Sequence, residues 1–153
     1  MPVTKPKTWR PRANASRARL RAGSLGIGNR QPLQVVGLVK AGFPFTYLND
    51  FQKATRLPWD RIARFVSIPQ RTLTRRQGEG KLQAEESDRV WRAATVFDRA
   101  VELFEGDVDA AREWLLAPQR GLGGAVPLEV ASTAVGAREV ENLIGRLEDG
   151  IIT

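Results

Sequence analysis

The segment PWDRIARFVSIPQRTLTRRQG, residues 58–78, decides the fold. Proline fixes φ near −65° and lacks an N–H, so it suits the first turn of a helix, where that donor would go unused. Pro58 and Pro69 each stand at such a start. After Pro58, the residues Ile62, Ala63 and Val66 fall on one side of a helix over Trp59 to Val66. Ser67-Ile68 makes the break, a second helix covers Gln70 to Gln77, and Gly78 is expected to stop it. Two short helices joined by a tight turn are the layout of a helix-turn-helix. With Leu73 turned to the core at ~100° per residue, Arg71 and Arg75 fall near the opposite face, flanked by Thr72 and Thr74. Arg76 and Lys81 add charge close by. Arginine offers a planar donor fork for guanine or phosphate, and threonine contacts backbone or a thymine methyl. Arg71, Thr72, Thr74, Arg75, Arg76 and Lys81 are therefore the candidate DNA-binding residues.

Outward from this segment, every periodic stretch from Val35 on is helical, and none alternates like a strand. A short apolar segment, Val35 to Val39, is closed by Gly42, and Phe45 to Thr55 follows with Leu48 and Phe51 on one side. The longest helix is expected from about Ala84 to Phe104, with Val90, Ala94, Phe97, Val101 and Phe104 spaced 4-3-4-3 as a core stripe. Glu85, Glu86 and Asp88 lie in its first turns, where the helix dipole favours acids; they read as helix-start chemistry rather than as a metal or acid–base site. Asp107 caps a further helix ended by Pro118, and Gly121-Leu-Gly-Gly makes a tight loop. Pro127 opens a short helix. The last helix, Ala137 to Leu147, has Val140, Leu143, Ile144 and Leu147 at helical spacing. The fold class is all-α, in three parts: a basic, poorly ordered arm at 1–34, a helix-turn-helix domain at 35–82 and a helical domain at 83–153.

Charge follows the same division. Residues 1–30 carry eight Lys/Arg and no acid, 31–82 nine bases against three acids, and 83–153 seven bases against fourteen acids, within a chain of net charge +7. A basic first half and an acidic second half suit two partners of opposite character. The arm is either a solvated tail or a phosphate-contacting one; a transit peptide shares its composition. There is no apolar run near the roughly 20 residues of a membrane span and no signal-peptide core, so the chain reads as soluble and cytoplasmic. Cysteine and histidine are both absent, which removes the thiolate nucleophile, the usual general base and the commonest metal ligands. Gly78-Glu-Gly-Lys is too short for a phosphate-binding loop. Neither an enzyme nor a cofactor is indicated.

Several segments, in order, carry a family resemblance: Gly42-Phe-Pro-Phe, Ile68-Pro-Gln-Arg-Thr-Leu-Thr-Arg-Arg, Leu82 with Glu86-Ser-Asp-Arg, Ala111-Arg-Glu-Trp-Leu, Leu122-Gly-Gly-Ala-Val-Pro-Leu, and Gly136-Ala-Arg-Glu-Val-Glu-Asn-Leu-Ile-Gly-Arg-Leu-Glu-Asp-Gly. From about Val35 on, the chain resembles the Xre/MbcA/ParS antitoxins, partners of RES-domain toxins. The resemblance implies an Xre-like helix-turn-helix followed by a helical toxin-binding domain. It implies a toxin related to ADP-ribosyltransferases that consumes NAD, an antitoxin that occludes its active site, and a complex that represses its own operon. With Val140, Leu143, Ile144 and Leu147 inward, the last helix turns Arg138, Glu139, Glu141, Asn142 and Arg146 outward. Glu148, Asp149 and Ile151 continue this candidate toxin-binding face; relatives often place an aromatic residue where the Ile151 tail stands. An acidic face suits a pocket that must be electropositive to hold pyrophosphate, although the same acids could simply solvate the helix. Expected partners are the toxin, operator DNA and a second copy in a homodimer, with no membrane. A stand-alone Xre-type repressor is the alternative.

Overall fold

The computed structural model describes residues 23–27 and 30–150. It is all-helical: α1 (Pro32–Ala41), α2 (Phe45–Thr55), α3 (Trp59–Val66), α4 (Gln70–Glu79), α5 (Ala84–Leu103), α6 (Val108–Leu116), α7 (Pro127–Val130) and α8 (Ala134–Glu148). Among the described residues the nearest thing to a sheet is one isolated antiparallel bridge, Pro44 to Lys81. No described helix is long and apolar enough to cross a membrane. The chain divides into two compact units between Thr95 and Val96, inside α5. The sequence reading set the boundary at 82/83, ahead of α5. Its first turns are instead tied to α4 and to the turn before it.

In the first unit, Phe43, Leu48, Phe51, Leu57, Ile62, Phe65, Val66, Ile68 and Leu82 are buried to 2% exposure or less. The rings of Phe51 and Phe65 meet at 5.9 Å. The expected arm ends sooner than residue 34. Gly23–Leu25 forms a 3-10 turn against α2 with Leu25 fully buried and Ile27 nearly so, because two apolar side chains this close in sequence gain by leaving water. Pro32 then takes the first position of α1. The remainder of the expected arm lies outside the described residues.

The turn between α3 and α4 forms as the prolines require. Ser67 closes α3 in the left-handed region (φ 57°), Ile68 donates back to the Ala63 carbonyl at 3.0 Å, and its side chain is buried. Arg89 Nη1 on α5 donates to the Ser67 carbonyl at 3.0 Å, satisfying an orphan acceptor of the helix end. The stop of α4 falls at Gly80 (φ 77°) rather than Gly78, which stays helical. Gly80 is preferred because its carbonyl accepts from Phe45 N at 3.0 Å while Leu82 N donates to Phe43 O at 2.9 Å, a clasp between residues 43–45 and 80–82. The Ser87 hydroxyl strengthens it, accepting from Phe43 N at 2.7 Å and donating to Gln83 O at 2.8 Å.

In the second unit, Val96, Ala100, Leu115, Leu128, Val140 and Ile144 are fully buried. Asp107 caps α6, its carboxylate accepting from Ala110 N at 3.0 Å. Thr133 caps α8 by accepting from Gly136 N at 3.0 Å, so this helix starts three residues before the Ala137 expected from the apolar pattern. A β-carbon on Gly136 would collide with the Val130 carbonyl of α7, which is why the two helices can meet so closely. The 119–125 loop closes on itself through Gln119 N to Ala125 O at 3.0 Å and Gln119 Nε2 to Trp114 O at 3.0 Å.

Gly42 is the position least tolerant of change in the clasp. Its φ is 87°, and an added β-carbon would strike the Leu82 carbonyl. Gly42→Ala combines left-handed strain with overpacking, each costing roughly 1–3 kcal/mol. A clear drop in the thermal midpoint, followed by circular dichroism, is expected, whereas Gly78→Ala, which has open space around it, should leave the midpoint unchanged or raised.

Candidate functional site

Helix α4 presents three different stripes. Leu73 and Arg76, three residues apart, form the buried edge at 4% and 7% exposure. Arg76, expected on the DNA-binding face, is instead placed in this buried edge. The i, i+3 spacing from Leu73 turns it inward, where Nε donates to Glu86 Oε1 at 2.8 Å and Nη1 to Glu79 Oε1 at 3.1 Å. The same Glu86 oxygen accepts from Gln83 N at 2.8 Å. The hydrogen bond to Glu86 holds the Arg76 guanidinium above its ordinary pKa, against the opposing effect of burial. Burial alone would raise the Glu86 carboxyl. The Arg76 hydrogen bond, the Gln83 amide and the charges of Arg76 and Arg89 outweigh it and hold Glu86 below the usual carboxylate value. Sequence reasoning missed this pair, although the Leu73–Arg76 spacing beside an early α5 acid was the available signal.

The second stripe is cationic. Arg71 and Arg75 are exposed; Arg75 Nε lies 3.9 Å from Glu79 Oε1 with both side chains more than half exposed, an ion pair that contributes little and leaves the guanidinium accessible. Thr72 is half-buried. Lys81 is exposed on the clasp just beyond the helix. The third stripe is neutral: Gln70, Thr74 and Gln77, at i, i+4 and i+7. Together with Phe45, Trp59 and Leu73 they line a cleft of about 200 Å³. Trp59, exposed to 36%, stacks on Phe45 with centroids 6.2 Å apart. The Thr74 hydroxyl donates to the Gln70 carbonyl at 3.1 Å. Gln70, Gln77 and Trp59 were not among the expected site residues.

Glu86 does the helix-start work expected of the acids at the start of α5. Glu86 accepts from Gln83 N, while Glu85 and Asp88 pair with Arg89 and Arg92 one turn on, at 3.9 and 3.3 Å. No group of three potential metal ligands occurs among the described residues.

On α8, Val135, Arg138, Glu139 and Asn142 form the exposed stripe, and Asp149 follows it in the open. Glu141 and Arg146 are only half-exposed, and the Glu148 side chain is 16% exposed. Glu148 Oε2 lies 3.4 Å from Arg99 Nη2 on α5, and burial raises the Glu141 carboxyl against the lowering influence of Arg99 and Arg138. Glu141 and Glu148, expected on the outward face, lie nearer the core than that: Glu141, Ile144 and Glu148 are spaced i, i+3, i+7, so both acids border the buried edge of the helix. Ile151 lies outside the described residues.

Comparison with known proteins matches residues 34–94 to the antitoxin Xre-like helix-turn-helix domain and residues 99–150 to the antitoxin Xre/MbcA/ParS C-terminal toxin-binding domain. The sequence is 40% identical over 117 residues to an antitoxin Xre of Photorhabdus laumondii, covering 76% of this chain and 79% of that one. It is 36% identical over 140 residues to an antitoxin Xre of Yersinia enterocolitica, covering 91% and 95%. An antitoxin Xre of Pseudomonas putida is 32% identical over 90 residues, covering 58% and 56%.

The Arg76–Glu86 pair has a pH signature. A carboxyl held low in the folded state stabilises fully above its ordinary pKa, and the stabilisation is lost as pH falls through the folded value, that is below about 4.5. Thermal melts of the wild type should therefore drop on acidification through that range. In Glu86→Gln the neutral-pH midpoint is already lowered, and its acid dependence is shallower. Parallel curves for the two proteins would show that Glu86 contributes nothing to the acid response.

Proposed function

From the premise that this chain belongs to the Xre/MbcA/ParS antitoxin family, we propose that it neutralises a RES-domain, NAD-consuming toxin and, as a homodimer in the cytoplasm, represses its own operon. The observation that carries the operator half of the reading is the exposed Arg71/Arg75 stripe on the second helix of a helix-turn-helix whose opposite edge is locked by Arg76. A recognition helix must present donors while being held rigidly from behind, and dimers of such units bind half-sites about one helical turn apart. The cationic balance of residues 31–82 supplies the sequence-independent attraction to phosphate.

The toxin half of the reading rests on α8. A toxin that binds NAD needs cationic or amide donors around the pyrophosphate, and a helix entering that mouth must not spend affinity on being ordered. Capped by Thr133 and seated through Gly136, α8 is held in that way, and it offers Glu139 and Asn142 at its exposed surface with Val135 as an apolar contact. Glu141 and Glu148 contribute to the electrostatic field from the rim rather than by direct reach.

Two measurements test these assignments. Arg75→Ala, and likewise Arg71→Ala, should weaken binding to the promoter fragment by ~1–3 kcal/mol if the arginine reads a base, with the thermal midpoint unchanged because both side chains are exposed. Arg76→Ala should lower the midpoint, because it strands the buried Glu86 carboxylate. Gel-shift titration beside circular dichroism separates the two; equal affinity in both exposed-arginine variants refutes the operator assignment. For neutralisation, Glu139→Lys should weaken the toxin complex roughly tenfold by opposing like charges while keeping the fold. Removing α8 altogether is a poor test, because Val140 and Ile144 belong to the core of the second unit. Growth rescue of toxin-expressing cells is the readout, and full rescue by the folded Glu139→Lys protein would move the inhibitory surface off α8.

A further inference from the structure

The cleft beside α4 shares only Thr74 with the candidate DNA-binding residues. Its polar wall is a column of side chains on one helix face, Gln70, Thr74 and Gln77; its apolar wall is Trp59 stacked on Phe45, with the edge of Leu73 between. A large aromatic side chain left 36% exposed, directly next to two uncharged amides on a helix whose neighbouring stripe is arginine, is an arrangement that core packing does not require. We infer that this cleft is a base-reading site for A·T pairs, in which Gln70 and Gln77 read adenine and the Trp59 ring receives the thymine methyl. The inference rests on the DNA-binding reading of α4 and divides the labour on that helix: arginines for phosphate or guanine, amides for adenine.

Chemistry selects the base. A carboxamide carries a donor and an acceptor side by side, and in the major groove adenine offers the matching pair, the N7 acceptor and the N6 donor. Guanine offers two acceptors there and suits the arginine fork instead; cytosine offers a donor and suits a carboxylate, which this cleft lacks. Thymine adds a methyl group, and an aromatic wall of this kind takes an apolar contact of that size. Gln70 is the first residue of α4, and the N-terminal residues of a recognition helix contact the base edges. The Thr74 hydroxyl donates to the Gln70 carbonyl at 3.1 Å, and the discrimination is carried by the two glutamine amides.

The test uses the full chain and a randomised duplex library, selected for binding at near-physiological salt and sequenced, for the wild type, Gln70→Ala and Gln77→Ala. The wild type should select A·T at two positions in each half-site. Each variant should lose roughly 5- to 150-fold of discrimination at one of them, with preferences elsewhere and the thermal midpoint unchanged, since both side chains are exposed. In the wild-type site, replacing thymidine by deoxyuridine at those positions should weaken binding about fourfold, the worth of one buried methyl; Trp59→Ala, if folded by circular dichroism, should be indifferent to the replacement. An A·T preference that persists in both glutamine variants, or equal binding of the deoxyuridine duplex by the wild type, overturns the assignment of this cleft alone. Failure of the wild type to enrich any sequence overturns it together with the DNA-binding reading on which it stands.

Discussion

The hydrogen bond between Arg76 Nε and Glu86 Oε1, 2.8 Å long with both side chains almost out of solvent, fixes the roll of α4 about its own axis. A buried charge is tolerable only with a partner, and removing either member strands the other. Neither residue can therefore turn outward, and α4 has one setting: Leu73 and Arg76 in, Arg71 and Arg75 out, the glutamine column to the side. The same Glu86 oxygen takes the Gln83 amide, so the pair also determines where α5 begins. The Ser87 hydroxyl, one residue on, holds the Phe43 amide in the clasp. A helix whose outward face must recognise a ligand is thus anchored by the least replaceable contact on its inward face.

Contacts of the same kind recur in the second unit, with caps in the place of buried charge. Asp107 and Thr133 each supply an acceptor to an orphan amide at a helix start, and Gly136 lets α8 sit against α7 where any side chain would push it away. The Arg99–Glu148 pair then ties the far end of α8 to α5. Held at both ends, α8 exposes a mixed stripe rather than an acidic one. Much of the excess negative charge counted in residues 83–153 is spent within the fold: on the first turns of α5, on the cap of α6 and against Arg99.

Much of this was legible in the chain. Pro58, Pro69 and the apolar spacing around them specify two short helices and the turn between, and α3 runs over the expected residues. The N-cap at Asp107 was readable because capping is local chemistry: a side chain bonding to an amide two or three residues on needs nothing from the rest of the protein. Thr133 carries the same signal but escaped notice, since the apolar period of α8 gathers strength only after Ala137. Charge was read less well. Arg71 and Arg75 were set opposite Leu73, but Arg76 was added to them as nearby charge although it lies three residues from Leu73 and turns inward.

What the sequence by itself determined is the set of local choices: an all-α class, and where helices start behind prolines and caps. Tertiary structure alone decided which charges are used internally and which are offered outward. It paired Arg76 with Glu86 and Glu148 with Arg99, ended α4 at Gly80 through a clasp with residues 43–45, and gathered Trp59, Gln70 and Gln77 around one cleft. The physical reason is range. Helix propensity and capping act within a turn or so of chain, whereas a buried ion pair or a cleft exists only once segments distant in sequence have been brought within a few ångströms, and no period in the sequence records that distance.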